Sequence, residues 1–323
     1  MRTPKFWDRH DPWSRLAVAA LAPIGWIYST SVAWKARNAT PYRADISVVC
    51  VGNLTVGGTG KTPIAIAIAH ALIARGRHPF FLSRGYGGKL HGPILVGPEH
   101  SAADVGDEPL LLAAAGPVVV SRNRGEGAKL AIEHGADVIV MDDGHQNFTL
   151  AKDLSLVVVD AEQQFGNGFI LPAGPLREFV NQGLARADAV VVVGDGGPTL
   201  AGYSGPILRA HLNLVDAPEL AGRRVVGFAG IGRPEKFFRS LRTLGADIVA
   251  TKRFADHHIY TSSEIARLKA KARAANALLV TTEKDYVRMT EVEREGIAAL
   301  PVRAAIDSAK ALELLLDRLS ASR

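Results

Sequence analysis

Ile46-Ser47-Val48-Val49-Cys50-Val51 runs through Gly52-Asn53-Leu54 into Thr55-Val56-Gly57-Gly58-Thr59-Gly60-Lys61-Thr62-Pro63. A short apolar run, a glycine-rich turn and a proline-opened helix follow one another. The run is apolar at successive positions, as a strand covered on both faces must be. Glycines let backbone N–H groups turn inward around phosphate oxygens, and the helix start adds partial positive charge. In this reading Lys61 reaches the β- and γ-phosphates of a nucleotide and the Thr62 hydroxyl meets Mg2+. Pro63 suits the first helical turn, where its missing N–H costs nothing. Such a loop asks for glycine at position 55, and Thr55 stands there instead. Thr55, Gly57, Gly58, Thr59, Gly60, Lys61 and Thr62 are the expected nucleotide contacts. The plain alternative is a structural glycine turn.

Outward from this loop the pattern repeats. Ile46–Val51, Pro79–Leu82, Val118–Ser121, Val138–Asp142, Leu156–Asp160 and Ala189–Val193 read as strands, with helices such as Pro63–Arg75 and Gly125–His134 between them. That alternation predicts an α/β fold, a P-loop NTPase-like core built on a parallel sheet. Composition shifts near 194–206 to GDGGPTLAGYSGP, a loop or linker. A second, smaller α/β set follows, with strands Val225–Ala229, Asp247–Thr251 and Leu278–Thr282, and a terminal helix near Ser308–Leu319. The expected organisation is an amino-terminal segment 1–43, a nucleotide-binding domain 44–206, a linker 207–221 and a second domain 222–323.

The 323 residues hold one cysteine, Cys50, which excludes a disulfide framework and a cysteine-based zinc site and fits a reducing compartment. A mean hydropathy of +0.09 excludes a multi-span membrane protein. Residues 1–43 carry Arg2, Lys5, Arg9, Arg15, Lys35, Arg37 and Arg43 against Asp8 and Asp11, five of the six net positive charges. A nucleic-acid binder would spread its basic surface over the folded body. Here the charge flanks Leu16–Trp34, nineteen residues without a charge that include Trp26, Tyr28 and Trp34. Length allows a span, but the many small and polar residues and the basic residues at both ends favour a helix lying on a membrane surface. An ordinary helix packed on the domain is the alternative.

Val138–Asp142 ends four apolar residues with an acid, the arrangement that places a carboxylate beside a nucleotide's metal ion. Asp143 follows directly, and two adjacent carboxylates need a cation or hydrogen bonds to offset their repulsion. Both are candidate ligands, with a turn or helix cap as the alternative. No Asn/Thr-Lys-x-Asp stretch of a guanine-selecting site is present, so ATP is the expected nucleotide.

Further strings complete a set. They are Gly52-Asn53, Ser83-Arg84-Gly85-Tyr86-Gly87, Val105-Gly106-Asp107-Glu108-Pro109, Asp142-Asp143-Gly144-His145-Gln146, Leu171-Pro172-Ala173-Gly174-Pro175-Leu176-Arg177-Glu178 and Phe254-Ala255-Asp256-His257-His258. In this order, and over nearly the whole chain, they resemble the tetraacyldisaccharide 4′-kinase (lipid A 4′-kinase) family. His145 stands where that pattern has an apolar residue, and Asn147 where it has histidine. The resemblance implies a P-loop core joined to a second α/β domain by a two-stranded link. It implies transfer of the ATP γ-phosphate to the 4′-hydroxyl of a tetraacylated glucosamine disaccharide 1-phosphate at the cytoplasmic face of the bacterial inner membrane. It also implies Asp107 as the base, assisted by a histidine that we take as His257 rather than His258. On its own, Gly106-Asp107-Glu108 before an apolar run is a helix-start signature. Glu108 is a further candidate for Mg2+. Arg124 and Arg177 are candidates for phosphate contacts, since guanidinium pairs well with phosphate oxygens, and Gln146 for orienting the acceptor. Each arginine has a solvated surface role as its alternative. The expected partners are the lipid substrate and the membrane surface, with no nucleic acid and a monomeric chain. The competing function is a P-loop ATPase switch acting with a protein partner at the membrane.

Overall fold

In the computed structural model, which describes residues 4–7, 11–198, 200, 202–214 and 220–321, the apolar run before the glycine loop is a fully buried strand. This is β1 (Ser47–Gly52), followed along the chain by β2 (Pro79–Ser83), β3 (Ile94–Leu95), β4 (Val118–Val120), β5 (Val138–Asp142), β6 (Leu154–Asp160), β7 (Ala189–Val193) and β8 (Ile207–Leu214). β9 (Arg224–Ala229), β10 (Asp247–Arg253), β11 (Leu278–Thr282) and β12 (Ile297–Leu300) form a separate parallel sheet in the order β10-β9-β11-β12. The last strand, β13 (Val302–Ile306), returns to the first sheet, whose order is β13-β8-β7-β6-β1-β5-β2-β4-β3. Its neighbours run parallel except where β3 meets β4 and β13 meets β8. Continuous apolar runs such as Val118–Val120 and Val138–Met141 are buried because helices cover both faces.

The domain boundaries read from sequence need correction. Ile207–Leu214, expected inside a linker, is a strand of the large sheet. Its pattern alternates, with Leu208 and Ala210 buried between exposed Ile207 and Arg209, so it lacks the continuous apolar signal of the central strands. Linker positions 215–219 lie outside the described residues. The span 222–323 is also not one unit. β13 pairs with β8, and the helix Ala309–Ala321 packs Leu312, Leu315, Leu316 and Leu319 into the core of the large sheet. The chain thus leaves by β8, builds the small sheet and comes back by β13.

The helix Lys61–Ile73 lies beneath that returning segment. Burial on several sides explains why it is apolar all round: Ile64, Ala65, Ile66, Ile68, Ala69 and Leu72 are buried.

Pro12–Asn38 is one helix of 27 residues, about 40 Å at 1.5 Å per residue. It is long and apolar enough to cross a membrane by length and composition, and 11% of its most apolar window is buried. Its packed stripe is small: Ser14, Gly25, Ser29 and Val32. A Cβ on Gly25 would stand 3.0 Å from the Ile170 carbonyl oxygen, so glycine lets the helix approach that loop without crowding it. Trp7 adds an indole hydrogen bond to the Pro172 carbonyl at 3.1 Å. Trp13, Leu16, Ile24, Ile27 and Trp34 recur at helical spacing on the face turned away from the protein and are exposed. Arg2, Asp8 and Arg9 lie outside the described residues.

Candidate active site

Ligands of open α/β sheets bind beyond the carboxyl ends of the strands. The glycine loop leaves the end of β1, Asp142 ends β5 and Asp160 ends β6. Gly60 sits at φ +87° and starts the helix Lys61–Ile73, a conformation that suits glycine. A Cβ built on Gly57 or Gly58 would meet nothing within 4 Å, which leaves room for a ligand against their backbone. The loop is strapped from outside, since the Val56 N–H donates to the Pro175 carbonyl at 2.8 Å and the Arg177 N–H to that of Leu54 at 2.8 Å. Thr55, the residue in place of glycine, is buried in a bridge with Leu176. The segment 170–177 therefore touches both the amino-terminal helix and the phosphate loop.

Thr62 Oγ1 donates to Asp142 Oδ2 at 3.0 Å. Asp142 Oδ1 is buried with no hydrogen-bond partner among the described residues. Burial pushes this carboxyl up to about 6, against the pull of Lys61. An orphaned carboxylate oxygen beside a hydroxyl is a hard-oxygen donor set that fits Mg2+. Asp143 differs. At φ +52° it turns its carboxylate onto the Arg177 guanidinium, with bonds of 2.7 and 3.0 Å, and stands 3.7 Å from Lys61 Nζ. Burial opposes ionisation, but Lys61 and Arg177 hold its carboxyl well below the usual carboxylate range. Both oxygens meet a guanidinium fork, so Asp143, a candidate metal ligand by sequence, is paired here with cationic side chains. Burial lowers the Lys61 ammonium's pKa, and Asp143 opposes that shift.

Asp107 opens the helix Asp107–Ala113 and is buried. His257 comes from the loop after β10, at φ +55°, and its Nδ1 lies 3.1 Å from Asp107 Oδ2. Tyr86 meets the His257 ring edge-on at 5.6 Å. His258 points elsewhere, stacked on Phe254 and bonded to Glu264 at 3.1 Å. Glu108 accepts from Lys284 Nζ at 2.5 Å, and its Oε2 is buried without a partner among the described residues. Burial favours a neutral Asp107. The His257 hydrogen bond and the charges of Lys284 and Arg288 outweigh it and hold the carboxyl below its usual range. Burial pushes Glu108 the other way, against Lys284.

The expected substrate contacts divide. Arg124 is buried, donates to the Ser121 carbonyl, and keeps Nε without a partner among the described residues. Burial and then Arg84 lower it to about 10. Gln146 is engaged inside the protein, donating to the Asn53 carbonyl and to Glu178 Oε1 at 2.9 Å each and accepting from Arg177 at 3.2 Å. It braces the Arg177–Asp143 pair.

The glycine loop, the Thr62–Asp142 pair and an acid–histidine contact made across two sheets suit phosphoryl transfer, which needs positioned charge more than covalent chemistry. A family model described as tetraacyldisaccharide-1-P 4′-kinase (LpxK) matches residues 17–320. The chain belongs to this kinase family. The tetraacyldisaccharide 4′-kinase of Rhodospirillum rubrum is 48% identical over 332 residues, covering 100% of this chain and 99% of that one. That of Paramagnetospirillum magneticum is 51% identical over 327 residues, covering 99% of each. Among solved structures, LpxK from Aquifex aeolicus in complex with ATP superposes with a TM-score of 0.76 at 25% identity, over 94% of this chain and 99% of that one.

Sequence reading missed several groups of this kinase's crevice. Arg288 donates to Asp107 from the small-sheet unit, through Nε at 2.8 Å and through a second nitrogen. It lies one helical turn beyond Lys284, and this i, i+4 pair of cations after a strand end was the available signal. Asp160, buried at the end of β6, receives Lys236 Nζ at 2.5 Å and Arg233 at 3.3 Å across the same crevice. Residues 73 and 76 positions apart in sequence carry no local mark of such a pairing.

Proposed function

We propose that this protein transfers the γ-phosphate of ATP to the 4′-hydroxyl of a tetraacylated glucosamine disaccharide 1-phosphate. The observation that carries the reading is the contact of Asp107 with His257 across the two sheets, beside a phosphate loop. Phosphoryl transfer needs positioning and charge neutralisation, and a sugar hydroxyl needs a group to take its proton. Backbone N–H groups of Gly57–Gly60 and the Lys61 ammonium hold the transferred phosphate. Thr62 and Asp142 would hold Mg2+, which would neutralise phosphate charge; Glu108, whose Oε2 is buried without a partner among the described residues, is a further candidate ligand. Asp107 accepts the hydroxyl proton, and His257 holds the carboxylate through Nδ1. Arg124, with its unpartnered Nε, is the remaining candidate for a substrate phosphate.

The exposed stripe Trp13, Leu16, Ile24, Ile27 and Trp34 supports attachment to a lipid surface, where aromatic rings favour the interface. We place it on the cytoplasmic leaflet of the bacterial inner membrane, within reach of an acylated substrate. Labelled γ-phosphate should pass from ATP into the lipid in mixed detergent micelles, and Asp107→Asn should lose about a hundredfold or more of that rate. Label released only as free phosphate would instead favour the ATPase switch.

A further inference from the structure

We propose that Arg288 is a positioning residue that pins one oxygen of the Asp107 carboxylate, so that the other faces the acceptor hydroxyl. The inference rests on the kinase reading given above. The donors that meet Asp107 from other elements converge on Oδ2: Arg288 through two nitrogens, His257 Nδ1 at 3.1 Å, and Lys284 Nζ at 3.8 Å. Oδ1 receives the N–H of the adjacent Glu108 at 3.1 Å, and no other donor among the described residues. An ionised carboxylate oxygen can accept more than one hydrogen bond. Oδ1 thus keeps capacity for a proton, while Oδ2 is saturated.

Arg288 is itself held before it meets Asp107. Its side chain is 5% exposed, and one terminal nitrogen donates to the Gly230 carbonyl at 2.7 Å and to Asp285 Oδ1 at 2.9 Å. Asp285 is fixed in turn by the Gly230 N–H at 3.0 Å, the Tyr260 hydroxyl at 2.8 Å and the Thr282 hydroxyl at 2.6 Å. This frame belongs to the small sheet and is complete without Asp107. The planar fork of a guanidinium fixes the orientation of what it binds, which a single ammonium does not. The small sheet therefore delivers a rigid guanidinium onto a base carried by the large one. In the step so arranged, the acceptor oxygen bonds to the γ-phosphorus as its proton passes to Asp107 Oδ1. The bond from that phosphorus to the β,γ-bridging oxygen breaks, and its electron pair leaves with ADP.

The test is steady-state transfer to the tetraacyl disaccharide 1-phosphate in mixed micelles by wild type, R288Q, R288K, D107N and D107N/R288Q, with unfolding midpoints read alongside. R288Q should lower kcat by about tenfold to a hundredfold, the scale of a small misplacement of a reacting group, and leave KM for ATP within about twofold. R288K should fall between R288Q and wild type. In the D107N background R288Q should cost nothing further, because residues acting through one another are not additive. Wild-type kcat in R288Q, or a full multiplied loss in the double variant, overturns the assignment. If R288Q does not fold, R288K decides, because it keeps the buried charge but not the fork: full wild-type kcat there overturns the assignment equally. A wild-type enzyme that labels no lipid refutes the kinase reading itself, and the positioning role falls with it.

Discussion

Replacing His145 with glutamine should make the protein more tolerant of acid relative to wild type. His145 is fully buried, and its Nε2 lies 3.0 Å from the Gly183 carbonyl oxygen. A carbonyl only accepts, so the ring proton sits on Nε2, and Nδ1 accepts from the Ser155 hydroxyl at 3.1 Å. Burial, then the charges of Lys152 and Arg186, lower the imidazole pKa from 6.5 to about 3. The unfolded chain takes up this proton below its ordinary pKa, whereas the folded one waits until about 3. The neutral ring's contribution is therefore full above pH 6.5 and is lost as pH falls from there toward about 3. At pH 4.5 the loss spans two pH units at about 1.4 kcal/mol each, or about 3 kcal/mol. That is a large fraction of the roughly 5–15 kcal/mol that holds a domain folded. Glutamine offers one donor and one acceptor to the same partners and does not titrate. Urea unfolding followed by far-ultraviolet circular dichroism at pH 7.5 and 4.5 should show the wild type losing about 3 kcal/mol more than H145Q between the two. Parallel losses in the two proteins would refute the assignment of a buried neutral ring.

Asp142→Asn should raise the Mg2+ concentration needed for half-maximal transfer at least about tenfold, read by Mg2+ titration of activity; an unchanged titration would remove Asp142 from the metal site. Gly88→Ala would set a Cβ 2.5 Å from the Asp104 carbonyl oxygen and 2.6 Å from the Val105 carbonyl carbon, backbone atoms of the turn that leads into Asp107. Overpacking of that kind costs about 1–3 kcal/mol, so the thermal midpoint and kcat should both fall, and an unchanged midpoint would show that the turn yields freely. Ile27→Ser with Trp34→Ser should lower partition onto anionic vesicles at least about tenfold, since each buried side chain of this size contributes about 1.5–3 kcal/mol. ATP affinity in detergent micelles should stay unchanged, and full vesicle binding would show that the exposed stripe is not the contact.

The central sheet and the phosphate loop were legible because their signals are local. Strands buried on both faces must be apolar at successive positions, and a phosphate cradle needs its glycines, lysine and threonine within one turn. The strand β8 and the edge strand β13 beyond it were not legible, because their half-exposed pattern looks like loop and their pairing joins residues about ninety positions apart. The family resemblance pointed to Asp107 and to the His257-His258 pair, and the fold separates the two histidines by turning His258 onto Phe254 and Glu264. Asp142 and Asp143 look alike in sequence, and only the fold shows that Arg177 faces Asp143 while Asp142 meets Thr62.

By itself, the amino-acid order determined which residue types could do this chemistry and the strand and helix on which most of them sit, since propensity, periodicity and turn chemistry act over a few neighbours. Tertiary structure alone decided which charges meet. Arg288 on Asp107, Lys284 on Glu108 and Lys236 on Asp160 each join the small-sheet unit to the large one. Such contacts depend on how two sheets pack in space, and a buried ionic pair leaves no periodic trace along the chain.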